Sequence, residues 1–209
     1  MIYGKLPVYM GQFEFSLPEV MYYLYMPIRM DKSALMVPNN LEVCLPLLDL
    51  VDSLTRASYK YMYVSARKGW ATPDNPLNRP GWHCDGFGTD DLNFVWWEGP
   101  STRFANQIFE GIVSDHNRSL KQFDEQVRPE NVVTYPEHGL YEIDPSVVHA
   151  TPVIPPPGCM RQYVKVSVSN HEYNLENNTH NYYFNYNWKM HPRDVIRNDP
   201  ARHQLDYFK

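Results

Sequence analysis

His83, Cys84 and Asp85 place an imidazole and a carboxylate two residues apart. On an extended chain, residues i and i+2 project to one face, so both groups reach a single metal ion while Cys84 turns away. A third ligand has to come from a distant segment. His149 is the best placed of the other histidines, because it follows a strand turn and precedes a hairpin about Pro155-Pro156-Pro157-Gly158. Two imidazoles and one carboxylate fill one face of an octahedron and leave three positions open, the arrangement of oxygen-activating Fe(II) centres. Open positions separate a reactive site from a structural one. An H-x-D triplet alone arises readily by chance in a chain with eight histidines, so the residues after His149 carry much of the weight.

Those residues, CMRQYVKVSVS, alternate. Met160, Val164, Val166 and Val168 form one face of a strand, and Arg161, Tyr163, Lys165 and Ser167 form the other. If the arms before and after the proline turn pair as a hairpin, His149 lies opposite Tyr163 or Lys165. Arg161 is then a diagonal neighbour on the order of 7–8 Å away. A guanidinium at that reach clamps the distal carboxylate of a dicarboxylate whose other end chelates the metal. Lys165 offers the same contact as a point charge and is the second choice.

The order H-C-D, distal histidine, then arginine on the next strand resembles the Fe(II)/2-oxoglutarate-dependent dioxygenases over about Gly81 to Ser169. The resemblance implies a double-stranded β-helix, a cupin-like jelly roll, with His83, Asp85 and His149 as iron ligands and Arg161 as the 2-oxoglutarate anchor. It further implies that decarboxylation of 2-oxoglutarate to succinate, with O2, is coupled to C–H oxidation of a substrate. Asp85, in place of a small residue that would admit a halide, favours a hydroxylase. Family members often carry a serine two residues after the arginine; here Tyr163 stands there, whereas Lys165 is followed by Ser167. Both cations therefore stay in view. The block WHCDGFGTDDLNFVWWEGPSTRF also resembles phage-encoded oxygenase-like chains, which implies residence in a host cytoplasm. A catalytically silent jelly-roll metal-binding module and an interaction or assembly protein are the competing readings.

Elements must position these groups. The spacing of Leu41, Cys44, Leu45, Leu48, Val51 and Leu54 predicts an amphipathic helix over 40–56, with Pro46 in its first turns. Strands are expected at 59–66, 81–85, 92–97, 102–105, 131–134, 140–143, 147–151, 160–169 and 182–188, with a loop over 67–79 and an exposed polar helix over 114–127. The stretch through Pro38, broken by four prolines, suits short strands and one or two helical turns. The result is one mainly β domain over 1–209, with support at 1–58, a core at about 59–188 and a C-terminal extension at 189–209.

A net charge of −5 and a pI near 5.9 give no general attraction to nucleic acid, and no apolar run approaches membrane-spanning length. With no secretory leader pattern at the start, a cytoplasmic protein is expected. Cys44, Cys84 and Cys159 are odd in number and lack C-x-x-C spacing, so reduced thiols are expected. Asn93 lies where it can meet cofactor or substrate, and Trp96 beside it suits core packing. Asp90 and Asp91 read as solvated turn residues. Trp70, Trp82, Trp97 and Tyr63 offer either a stacking pocket or ordinary core. His171 is the fallback ligand. Lys189, His191, Arg193, Arg197, Arg202 and His203 suit a polar surface extension. A small molecule, a nucleotide and a protein side chain all stay open as substrate.

Overall fold

The computed structural model describes residues 2–31, 33–113 and 115–193. Nine strands and two helices follow one another: β1 (Val8–Gln12), β2 (Met21–Met30), α1 (Leu45–Thr55), β3 (Tyr61–Ala71), β4 (Leu92–Glu98), β5 (Arg103–Ala105), α2 (His116–Gln126), β6 (Val132–Thr134), β7 (Gly139–Ile143), β8 (His149–Ala150) and β9 (Cys159–Ser169). Six strands form an antiparallel sheet in the order β1-β7-β4-β9-β3-β2, and three form a second, β6-β5-β8. From β3 to β9 the chain passes repeatedly between the sheets, which is the winding of a jelly roll. The expected fold class holds, with two open sheets and no closed barrel among the described residues.

Strand β9 shows why the sheets stack. Val164, Val166 and Val168 are fully buried with Phe94 and Trp96 of β4 and Met62, Val64 and Ala66 of β3, against Leu47, Leu48 and Val51 of α1. Helix α1 thus covers the outer face of the large sheet. It begins at Leu45, later than the expected residue 40, with Pro46 in its first two positions, where a missing N–H leaves no helical bond unmade; the turn before it, Asn39–Cys44, is 3-10 rather than α. Each buried valine contributes roughly 1.5–3 kcal/mol over an exposed one. On the inner face, Trp97, Tyr141 and Ile143 meet Phe104 of β5 and Val147, joining the two sheets. A third cluster, Trp82, Cys84, Ala105, Phe109, Val148, Ala150 and Phe123 of α2, covers the outside of the small sheet.

Several expectations need correction. Strand β3 runs on through Ala71 where a loop was expected from Arg67: the charged residues are held, Lys68 donating to Leu17 O and Arg67 to Leu77 O. Residues 81–85 do not form a strand but make one isolated bridge, His83 to His149. The proline turn does not close a hairpin, because β8 pairs with β5 in the small sheet while β9 pairs with β3 and β4 in the large one. Helix α2 is only partly exposed, since Leu120 and Phe123 are buried. Before Asn39 the described residues hold no helical turn; β2 occupies ten of them.

No strand forms at 182–188, which is exposed or half-buried throughout; the residue before it makes the contact. The amide of Asn181, 2% exposed, donates to Pro27 O and Met36 O, each at 2.8 Å. Arg197, Arg202 and His203 lie outside the described residues. No described helix is long and apolar enough to cross a membrane.

Asn181→Ala leaves two carbonyls without their donor in a dry setting. The expected loss is about 1–3 kcal/mol, read as a fall in chemical-denaturation midpoint; an unchanged midpoint would show that the contact between the C-terminal segment and β2 carries no stability.

Candidate metal centre

Backbone pairing sets the site. His83 N–H donates to His149 O and His149 N–H donates to His83 O, both at 2.9 Å, so the two residues lie directly opposite each other. Their rings stand 4.5 Å apart between centroids. Each imidazole is then oriented by the same local device: His83 Nδ1 is 3.0 Å from Gly81 O, and His149 Nδ1 is 3.1 Å from Val147 O. A carbonyl only accepts, so Nδ1 carries the proton in both rings and Nε2 keeps its lone pair for a metal. Gly81 adopts φ +84°, a left-handed backbone that suits glycine. Trp82 N–H, donating to Asp124 Oδ1 at 2.8 Å, anchors the segment from the α2 side.

Asp85 completes the group. Its Oδ2 lies 3.6 Å from His149 Nε2, and the ligand atoms of His83, Asp85 and His149 all fall within 4.8 Å of one another. Cys84, between the first two, turns into the outer cluster, as alternation requires. Burial and then the neighbouring His149 push the His83 imidazole well below its usual value, leaving it neutral and ready to bind. Burial alone would raise the Asp85 carboxyl; Lys165 first, then the imidazoles, hold it well below the usual carboxylate range. Two imidazoles presenting Nε2 beside one carboxylate fit a divalent first-row metal.

The three groups stand at the wall of a cavity of about 990 Å³ between the sheets, lined also by Asn93, Arg161 and Lys165. The polar face of β9 points into it, as the alternation predicted. Lys165 Nζ donates to Asp85 Oδ2 and to Tyr25 OH, each at 3.0 Å. Burial opposes its charge, yet Asp85 and Tyr25 raise its pKa above the ordinary lysine value. Arg161 is 2% exposed; its Nη1 donates to Asn78 Oδ1, its Nε to Pro100 O at 3.2 Å, and the guanidinium lies over the Tyr163 ring. Burial lowers its pKa to about 10, so it stays charged near neutrality. Arg161 is therefore no diagonal neighbour of His149 within a hairpin. It faces the cavity from the opposite sheet.

Asn93 is buried and accepts from Ser167 Oγ at 2.6 Å, its register partner on β9. Trp96 is core, stacked on Phe15 and donating to Phe13 O. Trp82 and Trp97 are core as well, while Trp70 is 56% exposed. Tyr63 stacks on Tyr173 at 4.2 Å. The fallback ligand His171 offers only its backbone to this region, its carbonyl accepting from Tyr63 OH. Asp90 is exposed as expected. Asp91 is not a solvated turn residue: it is 5% exposed and accepts from Tyr173 OH at 2.7 Å. Tyr25, Asn78, Asp91 and Tyr173 are the site residues that sequence reasoning missed.

No family model and no curated protein matches the chain. Solved structures resemble it distantly. EvdO2 from Micromonospora carbonacea var. aurantiaca complexed with 2-oxoglutarate is 15% identical, with a TM-score of 0.39, over 68% of this chain and 76% of that one. HygX from Streptomyces hygroscopicus with nickel and 2-oxoglutarate bound is 8% identical, with a TM-score of 0.40, over 75% and 72%. Against a second EvdO2 structure, 17% identical at a TM-score of 0.39, 63% of this chain spans 60% of that one's length.

The geometry predicts one divalent ion per chain, bound by all three side chains. Calorimetric titration with Ni(II) should show His149→Ala weakening the ion by more than about a hundredfold. An unchanged affinity would place the metal elsewhere.

Proposed function

We propose that this chain is a non-haem Fe(II)/2-oxoglutarate-dependent oxygenase, acting in the cytoplasm as a hydroxylase on a small molecule, a nucleotide or a protein side chain. One observation carries the reading: His83, Asp85 and His149 converge from separate segments on one side of a large cavity, with ligand atoms within 4.8 Å of one another. Three protein ligands on one side leave coordination positions free toward that cavity, unlike the closed four-ligand cage of a structural zinc. Bound Fe(II), with 2-oxoglutarate and O2, would supply the oxidising equivalents, and 2-oxoglutarate would leave as succinate and CO2.

The chain's own residues bind and orient. His83 and His149 present Nε2 because Gly81 O and Val147 O hold the other nitrogen. Asp85 supplies the negative charge and occupies the position that a halide would need, which favours hydroxylation. Of the two cations expected to take the distal carboxylate, Arg161 is better suited. Lys165 has two of its three N–H groups engaged, one of them with the metal ligand itself. Arg161 is fixed through Nη1 and Nε and lines the cavity, and among the described residues no hydrogen-bond partner of its Nη2 is found. Among the described residues no carboxylate lies within ion-pair distance of it. A buried guanidinium lacking an anion is matched by a dicarboxylate. Asn93, bonded to Ser167, lines the same cavity as a further polar contact.

Anaerobic addition of Fe(II) and 2-oxoglutarate should give the weak visible charge-transfer band of the chelate, followed in air by slow succinate release without substrate. Arg161→Leu should keep iron binding and raise the apparent KM for 2-oxoglutarate by roughly 10–100-fold, the loss of one charge-assisted hydrogen bond. A wild-type chain that gives neither band nor succinate would return the site to a silent metal-binding module.

A further inference from the structure

Lys165 is not spare. Its ammonium lies 3.0 Å from Asp85 Oδ2, 3.0 Å from Tyr25 OH and 4.8 Å from the Tyr25 ring centre. The side chains of Lys165 and Asp85 are only 14% and 18% exposed, so the pair is largely shielded from water. Tyr25 reaches it from an unusual backbone: φ is +45°, a left-handed conformation that strains a residue with a Cβ, and the β2–β3 register shifts between Tyr23 and Met26. Such strain persists only where its surroundings impose it. Here Tyr25 N–H donates to Ser65 Oγ at 2.9 Å, Leu24 exchanges hydrogen bonds with Thr179, and Tyr173 meets the Tyr25 ring edge-on.

The charges add to a further point. Without a metal, the Asp85 carboxylate faces one ammonium at 3.0 Å. With a divalent ion present, two cations share Asp85 at short range, where like charges repel strongly in a shielded site. We infer that Lys165, held by Tyr25, is a positioning residue that substitutes for the metal's charge: it holds the Asp85 carboxylate in place in the metal-free protein, and competes with the ion for it. The site is thereby preformed and its metal exchangeable. This inference rests on the metal-centre half of the proposed function. It differs in sign from ordinary support of a ligand, whose removal weakens a metal by about 10–100-fold. Removing a competing cation tightens it.

Two measurements, neither using turnover, test this. In EDTA, Lys165→Met and Asp85→Asn each orphan a buried charge or its polar partner, and Lys165→Met should lower Tm by roughly 6–20 °C. The double variant Asp85→Asn/Lys165→Met should recover most of that loss, even if Lys165→Met alone does not fold. Calorimetry with Mn(II) should then find Lys165→Met binding at least about tenfold tighter than wild type, with a larger Mn(II)-induced rise in Tm. Tyr25→Phe, which keeps the ion pair, should fall between the two.

A double variant no more stable than Lys165→Met, or Mn(II) bound more weakly by Lys165→Met, overturns the inference and leaves the metal centre standing. A wild-type chain that binds no Mn(II) overturns the proposed function too. The EDTA comparison, read without metal, separates that failure from the first.

Discussion

Two backbone hydrogen bonds between His83 and His149 hold this site together. They fix two imidazoles from distant parts of the chain at adjacent positions, so that the remaining geometry follows from short-range rules. A carbonyl two residues upstream sets each tautomer, and Asp85 lies two residues beyond His83, within reach of the same point. The bridge in turn depends on β8 being held in the small sheet, where Phe104 pairs with His149 on the other side. A local substitution that spared all three ligands but disturbed this pairing would still scatter them.

The sheets divide labour along single strands. On β9 the valines hold the large sheet to α1, while Arg161, Tyr163 and Lys165 face the cavity. Burying that much polarity is tolerable only because nearly every group is answered: Lys165 by Asp85 and Tyr25, Ser167 by Asn93, Arg161 by Asn78, Pro100 O and the Tyr163 ring. Among the described residues the guanidinium has no counter-anion, which is the strongest electrostatic sign of an anionic ligand. Tyr173, from the segment after β9, also lines the cavity, where it stacks on Tyr63 and donates to Asp91.

The nearness of His83 to Asp85 and the two faces of β9 were legible because both follow from a spacing of two, whereas His149 had to be chosen from a distant segment. Most strands after β3 were legible for the same reason. What sequence hid was pairing at a distance. The proline turn reads as a hairpin, yet the eight residues between β8 and β9 carry the chain from one sheet to the other, and nothing local distinguishes these outcomes. Residues 81–85 make a single bridge at His83 without a ladder, between a left-handed Gly81 and a turn that begins at Asp85, so the strand expected there brought His83 and Asp85 to one side for a reason the structure does not share. Tyr25, Asn78 and Tyr173 could not be chosen from a chain with sixteen tyrosines and many asparagines, because their roles come from contacts across long separations. Asp91 was misread because acidic residues after glycine are usually solvated, and here a tyrosine hydroxyl takes the place of water.

The most direct examination is diffraction from anaerobically grown crystals soaked with Fe(II) and 2-oxoglutarate, with anomalous scattering measured at the iron edge. The account requires one anomalous peak coordinated by Nε2 of His83, Nε2 of His149 and a carboxylate oxygen of Asp85, with 2-oxoglutarate chelating from the cavity side and its far carboxylate at Arg161. A peak bound elsewhere, or an ion enclosed by four protein ligands with no room for a chelate, would contradict it.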